Sequence, residues 1–241
     1  MMGLRLGLNR NNGAERKYLA FYFTGTALPK APSGIFRIQA VLNKKVTIDW
    51  GDGERTTIIG NANEYQSITH NYLSSNTYKI KIIGYKNLKY FSIYSNQFTG
   101  DLSGWDISGL TSLRLFYISS NQFTGGPILT ENAAWNGGSH KINANSGITV
   151  LNISAILMGI NTYDGEAGLL DAAGCASMAD TKQGGIWGDY SGSPTPSELA
   201  EALKSLVKSK SWVITLQGVA QPGETGDGTG FPAGFGDWWR L

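Results

Sequence analysis

Two stretches of this chain repeat one another, and that repetition restricts the fold more than any other feature. Leu88-Lys-Tyr-Phe91-Ser-Ile93-Tyr-Ser-Asn96-Gln-Phe98-Thr-Gly100 returns 25 residues later as Leu113-Arg-Leu-Phe116-Tyr-Ile118-Ser-Ser-Asn121-Gln-Phe123-Thr-Gly125. The alternating apolar core of each copy predicts a short strand with every second side chain turned inward. The asparagine can bond the backbone where the chain leaves that strand. One such unit cannot bury its own apolar face, so copies must stack, and a stack displays a sheet surface. Phe91, Ile93, Phe116 and Ile118 are then expected inside, with Phe91 above Phe116 on neighbouring parallel strands. Tyr90, Ser92, Tyr94, Leu115, Tyr117 and Ser119 are expected on the outer face.

A degenerate third copy is read at Ile148-Thr-Val-Leu151-Asn-Ile153-Ser-Ala-Ile156, 35 residues after Leu113, with ten residues inserted within 131–145. It would turn Leu151 and Ile153 inward and Val150, Asn152 and Ser154 outward. Residues 161–194 carry Gly and Ala without a period and read as irregular. Thr195-Pro-Ser-Glu198 has the form of a helix-capping box. Leu199, Leu203, Leu206 and Val207 mark one face of the helix it would open. Ser211-Trp-Val-Ile214-Thr-Leu216-Gln-Gly218 fits a last strand, adding Thr215 and Gln217 to the outer face.

The preceding part reads as all β, with strands at 19–23, 36–42, 45–50, 55–59 and 77–83. In the last, Tyr78, Ile80 and Ile82 alternate with Lys79 and Lys81. Asp49-Trp-Gly-Asp-Gly53 predicts a hairpin turn, with two glycines at positive φ and Asp52 bonding the backbone. Residues 1–18 read as a flexible leader or edge strand, or else as an assembly arm with Leu4, Leu6 and Leu8 on one face.

Two resemblances follow from these motifs. Trp50-Gly-Asp-Gly53, then His70-Asn-Tyr72, then Thr77-Tyr-Lys-Ile-Lys-Ile82 resembles the PKD (polycystic kidney disease) domain, with Asn76 where that family usually has Gly. That likeness implies an immunoglobulin-like spacer or adhesive β-sandwich over 19–84. The paired stretches resemble leucine-rich repeats, which implies a short solenoid over 85–218 with a helix-strand cap and a tail at 219–241. The expected fold class is mainly β: a small PKD-like sandwich followed by that solenoid.

Composition narrows the function. Twenty basic residues against 18 acidic ones lack the basic excess that nucleic acid requires. One cysteine excludes an intrachain disulfide, and with two histidines it cannot make a zinc site without carboxylates. No apolar run is long enough to cross a bilayer. Asp49, Asp52 and Glu54 share one turn, where turn formation already explains them, whereas glycosidase carboxyls flank a cleft. His70 reads as a packed, hydrogen-bonded residue, His140 as solvated in a loop, and Cys175 as small and buried. Gly223 to Gly230 reads as a turn rather than a calcium or phosphate loop. Trp238 and Trp239 read as a plug for the last repeat or an interface anchor. No nucleophile lies in a recognisable catalytic setting. No enzyme activity, cofactor or metal is therefore expected.

The outer tyrosines, beside hydroxyl and amide groups, suit sugar stacking or a protein contact. Candidate ligand residues are Tyr90, Ser92, Tyr94, Tyr117, Asn152, Thr215 and Gln217. Paired PKD-like and leucine-rich-repeat units resemble Bacteroides-type surface proteins and phage virion or fibre proteins. The start of the chain lacks an export-type apolar segment and keeps Met1. The expectation is a non-enzymatic virion structural protein of head or tail fibre type at the virion surface, partnered by other virion proteins or its own copies. It would display a host glycan- or protein-binding face. The alternatives are a bacterial cell-surface adhesin and, from another class, a glycan-active enzyme.

Overall fold

A computed structural model describes residues 18–28, 35–62, 64–128, 138–161, 168–172, 175, 201–202 and 205–216. The chain is mainly β. The strands are β1 (Tyr18–Ala27), β2 (Arg37–Ala40), β3 (Lys45–Asp49), β4 (Arg55–Ile59), β5 (Gln66–Ser67) and β6 (Asn71–Ile83). They continue with β7 (Leu88–Ser92), β8 (Thr99–Asp101), β9 (Leu115–Tyr117), β10 (Gln122–Thr124), β11 (Gly138–Lys141), β12 (Gly168–Ala172) and β13 (Val213–Leu216). The α-helix α1 spans Val150–Asn161.

These strands form two sheets, in the orders β10-β8-β1-β6-β3-β4 and β13-β12-β11-β9-β7-β2-β5. The first is antiparallel from β1 to β4. Its alternation buries Leu19, Phe21, Phe23, Ile80 and Ile82 and leaves Lys79 exposed. Tyr22 pairs with Lys79 across the ladder, and the Lys79 ammonium lies 5.9 Å from the Tyr22 ring centre, so the wet side of the pair is also matched. Gly51 turns the β3–β4 hairpin at φ 83°, where an added Cβ would sit 2.6 Å from the Lys79 carbonyl.

In the second sheet, β7, β9, β11, β12 and β13 run parallel and in register: Phe91 opposite Phe116, Phe116 opposite His140, His140 opposite Leu170, Leu170 opposite Ile214. The Phe91 and Phe116 rings stack 5.9 Å apart at 24°. This inward row faces the first sheet across a shared aromatic core. Phe21 meets Phe36, Phe98, Trp105 and Phe123 with ring centres between 4.7 and 6.3 Å. Both sheets run across Gly84. β7 pairs with β2, β8 pairs with β1, and the Trp105 indole N–H donates to the Ala20 carbonyl at 3.1 Å.

Three expectations are corrected here. The third parallel strand is β11, so the repeat returns 24 residues after Phe116 at His140, not 35 after Leu113. Residues Val150–Asn161 are helical instead, because Ile153, Ile156, Leu157 and Ile160 make a buried helical stripe. His140 is fully buried in the aromatic row, its ring 6.1 Å from that of Trp212 and inclined by 21°, and is not solvated. The stretch read as irregular contains β12.

Residues 201–202 are helical and Ser205–Ser209 forms a π-helical turn that buries Leu206, immediately before β13. The capping box at 195–198 and Leu199 lie outside the described residues, as do the side chains of Leu203 and Val207. The 1–17 segment, Gly223–Gly230, Trp238 and Trp239 do too.

Candidate functional site

What fixes the outer face is a column of buried amides behind it. Asn121 accepts from the backbone N–H groups of Asn96 and Phe98, both at 3.1 Å. Its amide nitrogen donates to the carbonyls of Ile93 (2.7 Å), Ile118 (2.9 Å) and Ser119 (3.1 Å). Asn145 repeats the arrangement one layer on, accepting from Phe123 N–H and donating to the Ile118 and Ile142 carbonyls. In the next layer Cys175 takes the place of the amide, its thiol donating to the Ile142 carbonyl at 3.3 Å. At the other end Asn96 donates to Ile35 and Tyr94, both at 2.7 Å. Each asparagine is preceded by a residue at positive φ: Ser95 (56°), Ser120 (53°) and Ala144 (54°). A non-glycine residue in that region costs about 1 kcal/mol, and the bonds each amide makes offset it. The strands are thereby locked in one register, so their outer side chains line up across the sheet.

Two outward rows result. One follows Gln39, Tyr90, Leu115, Ser139 and Leu169; the other follows Ser67, Arg37, Ser92, Tyr117, Lys141 and Asp171. The exposed Tyr65 stacks on Tyr90 with ring centres 5.2 Å apart, and the Arg37 guanidinium sits 4.8 Å from the Tyr65 centre. The Lys141 ammonium lies 5.1 Å from the Tyr117 centre, and the Tyr117 hydroxyl bonds Ser139 Oγ at 2.8 Å. Burial raises the Tyr90 phenol above its ordinary value, while the charge of Arg37 draws it partly back. The hydroxyl therefore stays protonated at neutral pH and can donate. Ser92 lies between Arg37 and Tyr117 and is fully buried, and its hydroxyl has no partner among the described residues.

Of the residues singled out from sequence, Tyr90, Ser92 and Tyr117 are on this face, and Tyr94 is half-buried just past β7. Asn152 is not on it. Its Oδ1 accepts from Thr149 N–H at 2.9 Å and Thr149 Oγ1 at 2.7 Å at the start of α1, the reciprocal half of a helix cap. Val150 and Ser154 are in α1 rather than in a strand. Thr215 is in β13 in register with Asp171. The Thr215 side chain, Gln217, Leu4, Leu6 and Leu8 lie outside the described residues. Sequence reasoning missed Arg37, Tyr65, Ser139 and Lys141. Arg37 and Tyr65 come from the segment before the repeat, and only the pairing of β2 with β7 brings them alongside. Ser139 and Lys141 were findable, because Ile142-Asn-Ala-Asn145 copies the spacing of Ile118-Ser-Ser-Asn121.

A second cluster lies on the first sheet's hairpin. His70 Nε2 is 2.7 Å from Asp52 Oδ2 and its Nδ1 is 3.9 Å from Glu54 Oε2. The imidazole stacks on Trp50 at 4.4 Å and 2°, with Tyr72 edge-on at 4.5 Å. Burial raises the Asp52 carboxyl, but hydrogen bonds from His70 and the Glu54 N–H outweigh that and hold it below its ordinary value. Three metal-ligand-type atoms fall within 4.8 Å of one another here. The His70 Nε2 is engaged by Asp52, so the cluster works as a clasp between the hairpin and the segment entering β6.

Among the described residues no helix is long and apolar enough to cross a membrane. No protein-family model matches the chain, and no curated protein or solved structure is significantly similar to it.

Proposed function

We propose that the chain is a non-catalytic attachment protein whose outer repeat face binds a host glycan. The observation that carries this is Tyr90 and Tyr117 on one sheet, with Tyr65 stacked on Tyr90 and the Ser139 hydroxyl bonded to that of Tyr117. Aromatic rings present large apolar area at small entropic cost and suit the C–H faces of sugar rings. Adjacent hydroxyls supply the directional bonds that choose among sugars. A parallel stack fixed by buried amides needs no rearrangement to present them, which limits the ordering cost of binding.

The setting we propose is a virion structural protein of head or tail fibre type, assembling with other virion proteins or with its own copies. A bacterial cell-surface adhesin is the second setting, and the same face supports both. The test has two arms. A glycan array with wild type, Tyr90→Ala and Tyr117→Ala is expected to show binding that each variant weakens at least about tenfold, a loss typical of a ring in a binding hot spot. Binding unchanged in both variants removes the face from consideration. Stoichiometric recovery in purified virions supports the first setting, and recovery with the outer membrane replaces it by the second.

A further inference from the structure

Two cations on the outer face lack the carboxylate partner that Arg55 and Lys81 have on the first sheet. On the first sheet, Arg55 bonds Asp49 at 3.1 Å and Lys81 lies 3.9 Å from the same carboxylate. Arg37 and Lys141 have no carboxylate within 4.0 Å among the described residues. Each lies over a tyrosine ring instead, Arg37 over Tyr65 and Lys141 over Tyr117. For Lys141 this is a choice, since Asp171 is its register partner on the adjacent strand and is not within ion-pair distance. Both cations stand in the same outward row, separated by β7 and β9. Three strand spacings put them about 14 Å apart, more than one sugar ring can bridge.

Between them lies Ser92, fully buried and with an unpartnered hydroxyl. Leaving such a group without a partner is unfavourable, and a bound acceptor or donor would relieve it. Arg37 is beside Ser92 in the row, with its guanidinium over the Tyr65 ring.

We infer that the ligand of this face is an acidic glycan, a chain of sugars carrying carboxylates. Arg37 and Lys141 bind carboxylates on different residues of the chain, the tyrosines stack on the rings between them, and the Ser92 hydroxyl bonds the sugar lying over it. The inference rests on the glycan-binding reading above and specifies its chemistry. Arg37 offers a planar fork that matches a carboxylate, while Lys141 offers a point charge, so the Arg37 position is the more selective of the two.

The experiment measures binding of the full chain to an array of acidic and neutral polysaccharides, and to each bound acidic polymer after its carboxyls have been reduced to alcohols. Arg37→Gln and Lys141→Gln are measured alongside, with urea midpoints to establish that both fold as wild type does. The expected result is binding confined to acidic polymers, lost at least about tenfold on carboxyl reduction and about tenfold in each variant, as expected for a charged hydrogen bond. It should also weaken as salt shortens the screening length below about 10 Å. Equal binding of the reduced polymer, or of neutral glycans, overturns the acidic assignment and leaves the glycan reading intact. Full binding by both variants in native form overturns the roles of Arg37 and Lys141. No binding to any member of the array overturns this inference and the glycan reading together.

Discussion

Replacing Asn121 by Ala removes the amide at the middle of the column and tests whether the column sets the register of the outer face. The variant takes away the acceptor for the Asn96 and Phe98 N–H groups and the donor to the Ile93 carbonyl. The other two carbonyls keep a partner. Ile118 still receives the Asn145 amide at 3.0 Å, and Ser119 still receives the Ser95 N–H at 3.1 Å. Asn96 and Phe98 are fully buried, so water does not reach the orphaned groups without local opening. Three backbone groups at about 1–3 kcal/mol each, reduced by relaxation around the shortened side chain, give a loss of about 3–5 kcal/mol. Against a total stability of about 5–15 kcal/mol, that is a large fraction. With a urea m-value of about 3 kcal/mol/M, the midpoint should fall by about 1–1.7 M at unchanged m.

The control is Asn61→Ala. It also removes an asparagine oxygen that accepts a backbone N–H, that of Glu64 at 3.1 Å, but in an exposed turn. Its loss should stay under about 1 kcal/mol because water replaces the bond. If Asn121→Ala cost no more than Asn61→Ala, the amide column would not be what holds the stack, and the account of the outer face would fail with it.

Two further outcomes follow from the titrating groups. The Asp52 carboxyl is held below its ordinary value in the folded chain, so its contribution is fully present above the unfolded carboxylate pKa of about 3.9 and is lost as pH falls through the folded value. Urea titrations at neutral pH and in acid should show Asp52→Asn less stable than wild type at neutral pH, with the gap narrowing in acid. A gap independent of pH would mean that the clasp with His70 contributes no charge-dependent stability. Burial pushes the Cys175 thiol up to about 11, so at neutral pH it is protonated as well as covered. Native protein should resist alkylation by iodoacetamide at neutral pH and react on unfolding in urea. Rapid labelling of the native chain would place that thiol outside the amide column.

The parts of the fold readable in the sequence are those where local pattern and buried chemistry coincide. The strands β7 and β9 and the inward places of Phe91, Ile93, Phe116 and Ile118 could be read because two copies share every apolar position and the asparagine. The turn between β3 and β4 was readable because Gly51 and Gly53 permit backbone conformations that few residues adopt. The third copy was misplaced because His140 occupies the Phe position, and an apolar-letter pattern passes over it. The pattern Leu151-Asn-Ile153 also satisfies a period of two, so a strand was read where Ile153, Ile156, Leu157 and Ile160 complete a helical stripe. Thr149 and Asn152 settle the matter by capping that helix reciprocally.

By itself, the sequence determined that the two matching layers must stack and which side chains those two hide, because each buried turn needs the same backbone groups satisfied. It could not determine which residues meet on the outer face. Arg37 is 80 residues from Tyr117, and the row that holds Arg37, Ser92, Tyr117 and Lys141, with Tyr65 beside it, exists only once β2 and β5 have joined the edge of the parallel stack. Neighbours on that surface are set by strand pairing, and strand pairing is a long-range choice made by the shared core.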